Sequence, residues 1–545
     1  MKKKHNIIIL IIVSIIVIII STTGIFKGKK IDHDFNNNLH PDKGKKIDHD
    51  FNNNLHPETK QILQKLDDKI YVNIYLNGKI SPKCKELQSA TIDLLDQFKL
   101  HSNKDVDFSL VEIEELQSDD PKSIYSPFTD LNIYPIFIRE KDEIFKVYPY
   151  ATVHYKEKTL PLPIVLLPPS ISEVFSMRND TINELTSEEL KNAIDQLEYS
   201  FIETIYLLQQ EKRKKIAFLQ GNGELDSLFT WDIRNTLSKY YDINHFDITT
   251  FSNDQITSNL IKEKINEINQ YTVIVIAKPT ITFQSIDQLI IDQYIMNGGR
   301  VIWLIDGTTA HMNNFNGNNL FELTKNDIGY NILLEKYGIK INHDLIQDQV
   351  CTNTPVISPY GTLLAKWVYN PLIKSNHNHL ITKEVDSILT HFVSSINVIN
   401  KNKTNILLSS SNNSNILNSG ENVNLEIIKS ESNKFSGEKV IAVLIEDKFK
   451  SIFENIPYLK IDSEIISCKE FLKESEENKM IVISDGDIIK NGYIHKNNRY
   501  LPLGHDPFKS NPKASNIYEG NTDFIFNSIQ YLCDDESLIK IRKIK

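Results

Sequence analysis

Two charged residues follow neighbouring apolar segments in the middle of the sequence. Val273–Ala277 predicts a buried strand that ends just before Lys278, and Val301–Ile305 predicts a second strand that is followed by Asp306. A helical segment lies between them and stops at a Gly-Gly pair, where helices commonly take a left-handed C-cap. This order predicts a βαβ unit in a parallel sheet, whose ligands bind at the carboxyl ends of the strands. Lys278 and Asp306 are therefore candidate binding residues, although charges on loops are more often only solvated.

Two glycine-containing turns also follow predicted strands. Gly221-Asn222-Gly223-Glu224 lies between the strand Lys215–Leu219 and a predicted helix, Leu225–Tyr240. Backbone N–H groups at such a turn could hold an anion, and a tight turn without a ligand is the alternative. Asp485-Gly486-Asp487 follows the strand Met480–Ser484, and its two carboxylates could bind a cation. A structural Asx turn is the alternative there, because the segment lacks the ligand count of a calcium-binding loop.

Signatures of catalysis do not accompany these turns. The sequence contains neither H-E-x-x-H nor G-x-S-x-G, and without G-x-x-x-x-G-K-[ST] it shows no ATP site. Its four cysteines lie far apart, without metal-ligand or redox spacing, and are expected to be small buried residues. We therefore predict no catalytic residue, no bound metal and no cofactor.

The length, apolar content and net charge of the chain favour a multidomain protein that does not bind nucleic acid. The chain has 545 residues, enough for roughly two to four domains, and 40% of them are apolar, which supports buried cores. The formal net charge is −10 and the pI is near 5.9, whereas nucleic-acid-binding proteins usually carry a basic surface.

The N-terminal segment predicts a membrane anchor. Residues 6–26 are mostly apolar, and the 20 residues from Ile7 to Phe26 would form about 30 Å of helix, enough to span a bilayer. A cleaved signal peptide, the alternative, should have a shorter apolar region followed by a small-x-small site, and no A-x-A appears after Ile20. We expect residues 1–5 to be cytoplasmic and the bulk of the chain to be periplasmic, at the inner membrane. Lysines on both sides of the span leave its orientation open on charge alone.

The next residues divide into a linker, a small domain and a helix. Residues 27–41 recur without change at 43–57, so 27–57 is interpreted as a duplicated juxtamembrane linker. Residues 58–175 begin with strand, helix and strand and continue with a hairpin, which predicts a small α/β domain of thioredoxin-like layout without a redox cysteine pair. Residues 176–213 contain a long amphipathic helix with a capping-box sequence at its start, which is expected to connect two domains.

The larger predicted domain covers residues 214–536, in which strands and helices alternate around a mostly parallel sheet. Within it, residues 400–436 are rich in Asn, Ser and Lys and predict a mobile surface loop. Residues 537–545 end in Ile-Arg-Lys-Ile-Lys and are interpreted as a basic tail.

Separate segments along the chain, in the same order and spacing, resemble the GldG-like family. These proteins are the G component of the gliding-motility ABC transporter and carry the ABC-transporter auxiliary domain. The segments are LHPETK at 55–60, LDDKIYV at 66–72, IAFLQGNGEL at 216–225, the block 278–306, DLIQD at 344–348, IVISDGD at 481–487, LPLG at 501–504, NTDF at 521–524 and YLCDDE at 531–536. The likeness covers nearly the whole chain after residue 47, and many segments in register are more specific than any single motif.

This resemblance implies a membrane-anchored, non-catalytic auxiliary component, of substrate-binding type, in a gliding-motility-type ABC transporter. Such a component acts with a separate permease and a separate ATPase. The resemblance also implies a larger sheet similar to that of class I glutamine amidotransferases and of an intraflagellar-transport subunit. The nucleophilic Cys of the amidotransferases lies in a G-x-C-x-G turn that this sequence does not contain, so the implied domain binds rather than catalyses.

Two other functions fit parts of the sequence. The first is an independent envelope module, anchored in the membrane, that binds an extracytoplasmic ligand without any transporter. The second is a divergent hydrolase of the amidotransferase-like fold, for which Glu224, Asp306 and Asp485 would be the groups to test.

Overall fold

The computed structural model describes residues 55–113, 133, 135–165, 182–249, 257–316, 319–358, 361–375, 377–424, 435–461, 464–509 and 516–542. Its helices are α1 (Pro57–Gln64), α2 (Pro82–His101), α3 (Ser187–Gln209), α4 (Trp231–Leu237), α5 (Ser258–Ile268), α6 (Ser285–Met296), α7 (Tyr330–Lys336), α8 (Gly520–Leu532) and α9 (Glu536–Ile541). Short 3₁₀ helices lie at Met312–Phe315, Lys401–Lys403 and His495–Asn497.

The strands fall into two groups along the chain. Those before α3 are β1 (Ile70–Ile74), β2 (Val106–Leu110), β3 (Ile136–Glu140), β4 (Glu143–Val147), β5 (Tyr150–Tyr155), β6 (Lys158–Pro163) and β7 (Ile182–Asn183). Those after α3 are β8 (Lys215–Gln220), β9 (Asp242–Asp247), β10 (Val273–Ala277), β11 (Arg300–Leu304), β12 (Leu320–Glu322), β13 (Ile339–Ile341), β14 (Asp344–Asp348), β15 (Cys351–Ser358), β16 (Gly361–Ile373), β17 (Ile388–Leu389), β18 (Ile396–Val398), β19 (Thr404–Ser409), β20 (Ser414–Asn418), β21 (Asn422–Asn424), β22 (Val440–Lys450), β23 (Tyr458–Ile461), β24 (Glu464–Ser467), β25 (Glu474–Ile483), β26 (Tyr493–Ile494) and β27 (Arg499–Tyr500).

A four-stranded sheet, in the order β2-β1-β5-β6, forms the first core. Strands β1 and β2 are parallel and are joined by α2, whereas β5 and β6 form an antiparallel pair next to β1. Helix α2 is capped by Ser81, whose side chain accepts a hydrogen bond from the backbone N–H of Cys84 at 3.3 Å. The first core thus contains a βαβ unit followed by an antiparallel hairpin.

Helix α3, expected from the sequence to connect two domains, is a structural part of this first core. It begins with the predicted capping box, in which the Thr186 hydroxyl accepts from the N–H of Glu189. Along its length Leu197, Phe201 and Ile205 are buried, and the helix packs on α2, β5 and β6. The ring of Phe201 meets that of Phe98 edge-on, with 6.4 Å between centroids. The apolar face of α3 thus forms one layer of the small domain.

The larger domain is built on a seven-stranded sheet in the order β19-β22-β25-β11-β10-β8-β9. The five strands from β25 to β9 are parallel, and β22 is antiparallel to both of its neighbours. Every residue of β10 is buried, because α5 and α6 cover one face of the sheet while α4 and α8 cover the other. The prediction of an α/β fold with a mostly parallel sheet is confirmed.

Residues 400–436 differ from the mobile surface loop that their composition predicts. The described part contains β19, β20 and β21, which pair with β22, β14 and β12. Leu407 and Leu408 are fully buried, and the hydroxyls of Ser410 and Ser414 lie 2.8 Å apart in the interior. Pairing with strands that are distant in sequence satisfies the polar backbone here, which local composition does not reveal. Residues 425–434 of the predicted loop lie outside the described residues.

The predicted basic tail is, in its described part, a helix that touches both cores. Helix α9 buries Leu538 in the core of the larger domain and Ile541 in the first core. Nζ of Lys540 lies 3.2 Å from a carboxylate oxygen of Glu58 in α1. The helix packs into the cores through the apolar residues on one of its faces, although its overall composition is basic. Residues 543–545 lie outside the described residues.

The predicted membrane anchor at 6–26 and most of the duplicated linker also lie outside the described residues, which begin at residue 55. Within the part of the chain that the structure describes, no helix combines the length and the apolar character needed to cross a membrane.

Substituting Phe201 by Ala should destabilise the protein by about 3–5 kcal/mol, because the change removes a fully buried ring and leaves a cavity. The measurement is urea unfolding followed by circular dichroism. Leu100→Ala is the matched control, since Leu100 is 73% exposed and its loss should cost less than about 0.5 kcal/mol. Equal unfolding midpoints for Phe201→Ala and the control would contradict the placement of α3 in the first core.

Candidate functional site

The carboxyl ends of three neighbouring parallel strands bring Lys278, Asp306 and Asp487 together. Lys278 directly follows β10, Asp306 lies two residues after β11, and Asp487 lies four residues after β25. Nζ of Lys278 lies 2.8 Å from Oδ2 of Asp306 and also forms an ion pair with Oδ2 of Asp487. Nζ of Lys490 lies 3.4 Å from the other carboxylate oxygen of Asp487. We call these four side chains the Lys278 cluster.

Close packing of two backbone segments holds the Lys278 cluster in place. Lys278 has a left-handed backbone, with φ 53°, a region that residues other than glycine seldom adopt. Gly486 packs directly against it, and a Cβ on Gly486 would lie 2.7 Å from Cβ of Lys278. The N–H of Gly486 also donates to Oδ1 of Asp306 at 2.5 Å. The glycine of this turn is therefore needed for the backbone to approach the lysine.

Asp485 lies beside the cluster and is fully buried. Its carboxylate accepts hydrogen bonds from the backbone N–H of His391 at 2.9 Å and of Asp487 at 2.8 Å. The second bond has the geometry of an Asx turn. Both carboxylate oxygens of Asp485 are thereby engaged within the chain.

Burial and neighbouring charges act in opposite directions in this cluster. Burial raises the pKa of Asp306, and the charge of Lys278 only partly offsets that effect. Burial, together with the charges of Asp306 and Asp487, raises the pKa of Asp485 well above its usual range. Burial also acts to raise the pKa of Asp487, but the charges of Lys278 and Lys490 outweigh it and hold that pKa at about 2. A charged Lys278–Asp487 pair therefore persists at neutral pH.

The Gly221-Asn222-Gly223-Glu224 segment forms a tight turn after β8. The carbonyl of Asn222 accepts from the N–H groups of Thr280 at 2.9 Å and Ile281 at 2.8 Å, and the N–H of Asn222 donates to Oε2 of Glu224 at 2.8 Å. Gly221 and Gly223 have φ values of 121° and 74°, and a Cβ on Gly223 would lie 2.2 Å from Oγ1 of Thr280. Both glycines therefore serve the backbone geometry of the turn.

The helix predicted to begin directly after this turn, at Leu225, begins only at Trp231. The turn therefore does not lie at a helix N-terminus, which was the physical reason to expect an anion there. No hydrogen bond or ion pair between described residues joins Glu224 to the Lys278 cluster, so the structure separates these candidate residues into two groups.

Sequence reasoning missed three residues that contact the candidates. Lys490 is close to Asp487 in sequence, and its spacing could have suggested the ion pair. Asp287 accepts from Nδ2 of Asn222 at 3.1 Å and from the N–H of Gln284 at 2.8 Å, so it joins the turn to the start of α6. His391 lies 94 positions from Asp485, and no local signal marks it.

Several ionisable side chains around these turns are engaged within the chain. Among the described residues, no group of three His, Cys, Asp or Glu side chains is placed to hold a metal ion. Burial raises the pKa of all four cysteine thiols, which keeps them protonated and weakly nucleophilic. The carboxylates of the Lys278 cluster are already paired within the chain.

Two family models match the sequence. One, described as an ABC-type uncharacterized transport system, matches residues 213–528, which is more than half of the chain and includes the whole seven-stranded sheet. The other, described as a domain of unknown function (DUF7088), matches residues 52–154 in the first core. No curated protein matches the sequence.

One solved structure, titled mmIFT52 N-terminal domain, is similar to part of the chain. The sequence identity is 14%, and the match covers 59% of this chain and 97% of the other, with a TM-score of 0.34. A score of that size carries no argument about fold or function.

Replacing Lys278 by Met should lower the free energy of unfolding by about 3–5 kcal/mol, because Asp306 and Asp487 lose the cation that compensates their burial. Urea unfolding at neutral pH measures the change. The control is Lys99→Met, since Lys99 forms an exposed ion pair with Asp107 at 3.0 Å that should contribute less than about 1 kcal/mol. Equal losses for the two variants would show that the cluster is solvated rather than structural.

The contribution of Asp487 should depend on pH in one direction. Its folded-state pKa of about 2 lies below the ordinary 3.8, so its stabilisation is complete above pH ~4 and is lost as pH falls towards 2. Asp487→Asn should therefore be less stable than the wild type by about 2 kcal/mol at neutral pH, and the difference should shrink between pH ~4 and 2. Urea unfolding over a pH series tests this, and a difference that stays constant down to pH 2 would contradict it.

Proposed function

The chain belongs to the family of ABC-type uncharacterized transport systems, as an auxiliary component, and we propose that it works without catalysis beside a separate permease and a separate ATPase. The observation that carries this proposal is the family match over residues 213–528. The matched segment contains the seven-stranded sheet together with the Lys278 cluster and the Asn222 turn.

The geometry of the sheet supports a non-catalytic role. Enzymes of parallel α/β folds place reacting groups at the carboxyl ends of their strands. In this chain the corresponding positions hold Lys278, which forms ion pairs with Asp306 and Asp487, and Asp485, which accepts two backbone N–H groups. Contacts of this kind within the chain favour a structural role for these side chains at the strand ends.

The contacts between the two cores support a coupling role. The carboxylate of Asp535, before α9, is 3% exposed and accepts hydrogen bonds from the hydroxyls of Tyr206 in α3, at 2.5 Å, and Tyr241, at 2.8 Å. Nζ of Lys214 lies 2.7 Å from the same carboxylate. Together with α9, these bonds tie the small domain to the large one. In a component built in this way the two domains would move as a unit. A movement of the permease would therefore be transmitted from one domain to the other.

The location and the type of transporter form the finer part of the proposal. Residues 6–26 would anchor the chain in the inner membrane, with the bulk of it periplasmic, because this segment has the length and apolar composition of a membrane span. The segments shared with GldG-like proteins favour a gliding-motility-type transporter. Residues at the surface of the matched region would then dock on the permease.

The test is purification of the tagged full-length chain from solubilised membranes, followed by mass spectrometry. We expect an ABC ATPase and a multi-span permease in constant ratio to the chain. The control is residues 1–57 fused to an unrelated soluble domain, which keeps the predicted anchor and should recover neither subunit. Recovery of the intact chain alone, or equal recovery with the control, would overturn the proposal.

A further inference from the structure

Within the part of the chain that the structure describes, strand β9 is the outer edge of the seven-stranded sheet and pairs with β8 alone. The N–H of Asp242 donates to the carbonyl of Lys214 at 3.0 Å, and the N–H of Ile248 donates to that of Gln220 at 2.9 Å. Alternate residues of a strand point their backbone groups to the same side. The backbone groups of Ile243 and His245 therefore face away from β8, along the outer edge.

A polar pocket of about 450 Å³ lies beside the first half of this edge. Its walls come from Arg213 before β8, from α4 and from the first three residues of β9 itself, Asp242–Asn244. Pockets of this size hold small ligands or individual side chains. Because β9 contributes to the wall, a chain that lies along the outer edge can place a side chain in the pocket.

Among the described residues, one guanidinium of the pocket has no carboxylate within salt-bridge distance, although the more distant charge of Asp226 acts on it. Nε of Arg213 lies 3.6 Å from Oδ1 of Asp242, so these two charges offset each other. Arg234, from α4, donates through Nη1 to the carbonyl of Ser227 at 3.3 Å, and within the described chain no carboxylate lies within salt-bridge distance of it. Its Nε is buried without a hydrogen-bond partner. A guanidinium in this state is suited to a carboxylate from another molecule, which it can bind with two parallel hydrogen bonds.

An exposed tryptophan completes this surface. Trp231 lines the pocket, is 38% exposed and stacks on Tyr500 with 4.4 Å between ring centroids. The other two tryptophans, Trp303 and Trp367, are 0% and 5% exposed. Tryptophan and arginine are the residue types that most often contribute strongly to binding at protein interfaces.

We propose that the outer edge of β9 binds an extended acidic peptide segment of a partner protein, which pairs with β9 as an added strand and places a carboxylate on Arg234. Main-chain hydrogen bonds to Ile243 and His245 supply affinity in this mode, and side-chain pockets supply specificity. The assignment of the segment to a transporter subunit rests on the proposed function. The binding itself is a property of this chain alone.

Fluorescence anisotropy of a labelled peptide with alternating glutamate and valine, titrated with the purified full-length chain, tests the proposal. We expect saturable binding that weakens with salt, and no binding of the matched peptide with lysine in place of glutamate. The same acidic peptide with N-methylated backbone amides should also fail to bind, since it cannot pair as a strand. Saturable binding of the lysine peptide, or of the N-methylated one, would overturn the proposal, as would no binding of the acidic peptide.

Two variants locate the site on the protein. Arg234→Gln should weaken binding by about tenfold or more, as expected for the loss of one charged pair. His245→Pro removes an outward N–H without touching the bonds to β8 and should weaken binding as well. Arg139→Gln, on the exposed face of β3, is the matched control and should bind like the wild type. Circular dichroism verifies folding, and unchanged affinity in a folded Arg234→Gln variant would overturn the assignment.

The experiment separates this inference from the proposed function. Peptide binding without recovery of transporter subunits would leave the edge site intact and remove the transporter as its partner. Recovery of the subunits with no binding of the acidic peptide would overturn the edge site and leave the auxiliary role intact.

Discussion

The ion pairs of Lys278 with Asp306 and Asp487 fix the carboxyl ends of three parallel strands, and the larger domain is arranged around them. A parallel sheet covered by helices on both faces has apolar interiors and collects its polar strand ends at one edge. Charges that are largely removed from water at the strand ends need partners from the same chain. The left-handed backbone of Lys278 and the close approach of Gly486 follow from this requirement, because the pairs form only when the two turns pack against each other.

A second constraint is the joint between the two cores. Helix α3 belongs to the small domain through Leu197 and Phe201, yet its Tyr206 donates to Asp535 at the start of α9. Helix α9 in turn contributes Leu538 to one core and Ile541 to the other. Apolar burial and a shared buried carboxylate thus act at the same joint.

Two regions of the large sheet differ in how their polar groups are paired. They are the carboxyl ends of the central strands and the outer side of the edge strand β9. Among the described residues, charged groups at the carboxyl ends of the strands form ion pairs with one another, whereas the outer side of β9 pairs with no strand and Arg234 has no carboxylate within salt-bridge distance. In an auxiliary component of a transport system, the paired strand ends give rigidity, and the outer side of β9 offers a surface for another chain. The strand ends and the outer side of β9 differ physically in whether their charged groups form ion pairs within the molecule.

The sequence by itself determined the elements and the neighbourhood of the site. Apolar runs predicted β10 and β11 to within one residue and the last four residues of β25, and the βαβ pattern placed Lys278 and Asp306 at neighbouring strand ends. The pairing of β25 with β11, which brings Asp487 to them, came only with the tertiary structure. Only the tertiary structure decided the rest. Strands β19 to β21 form in an Asn- and Ser-rich segment because strands distant in sequence pair with them. Helix α9 forms where its apolar residues pack into two cores, which its own composition does not indicate. The N–H of His391 reaches Asp485 from 94 positions away, and the surroundings of Arg234 depend on which segments fold next to it. Local periodicity reports what a segment buries, whereas pairing between distant segments decides which polar groups are satisfied and which remain open to a partner.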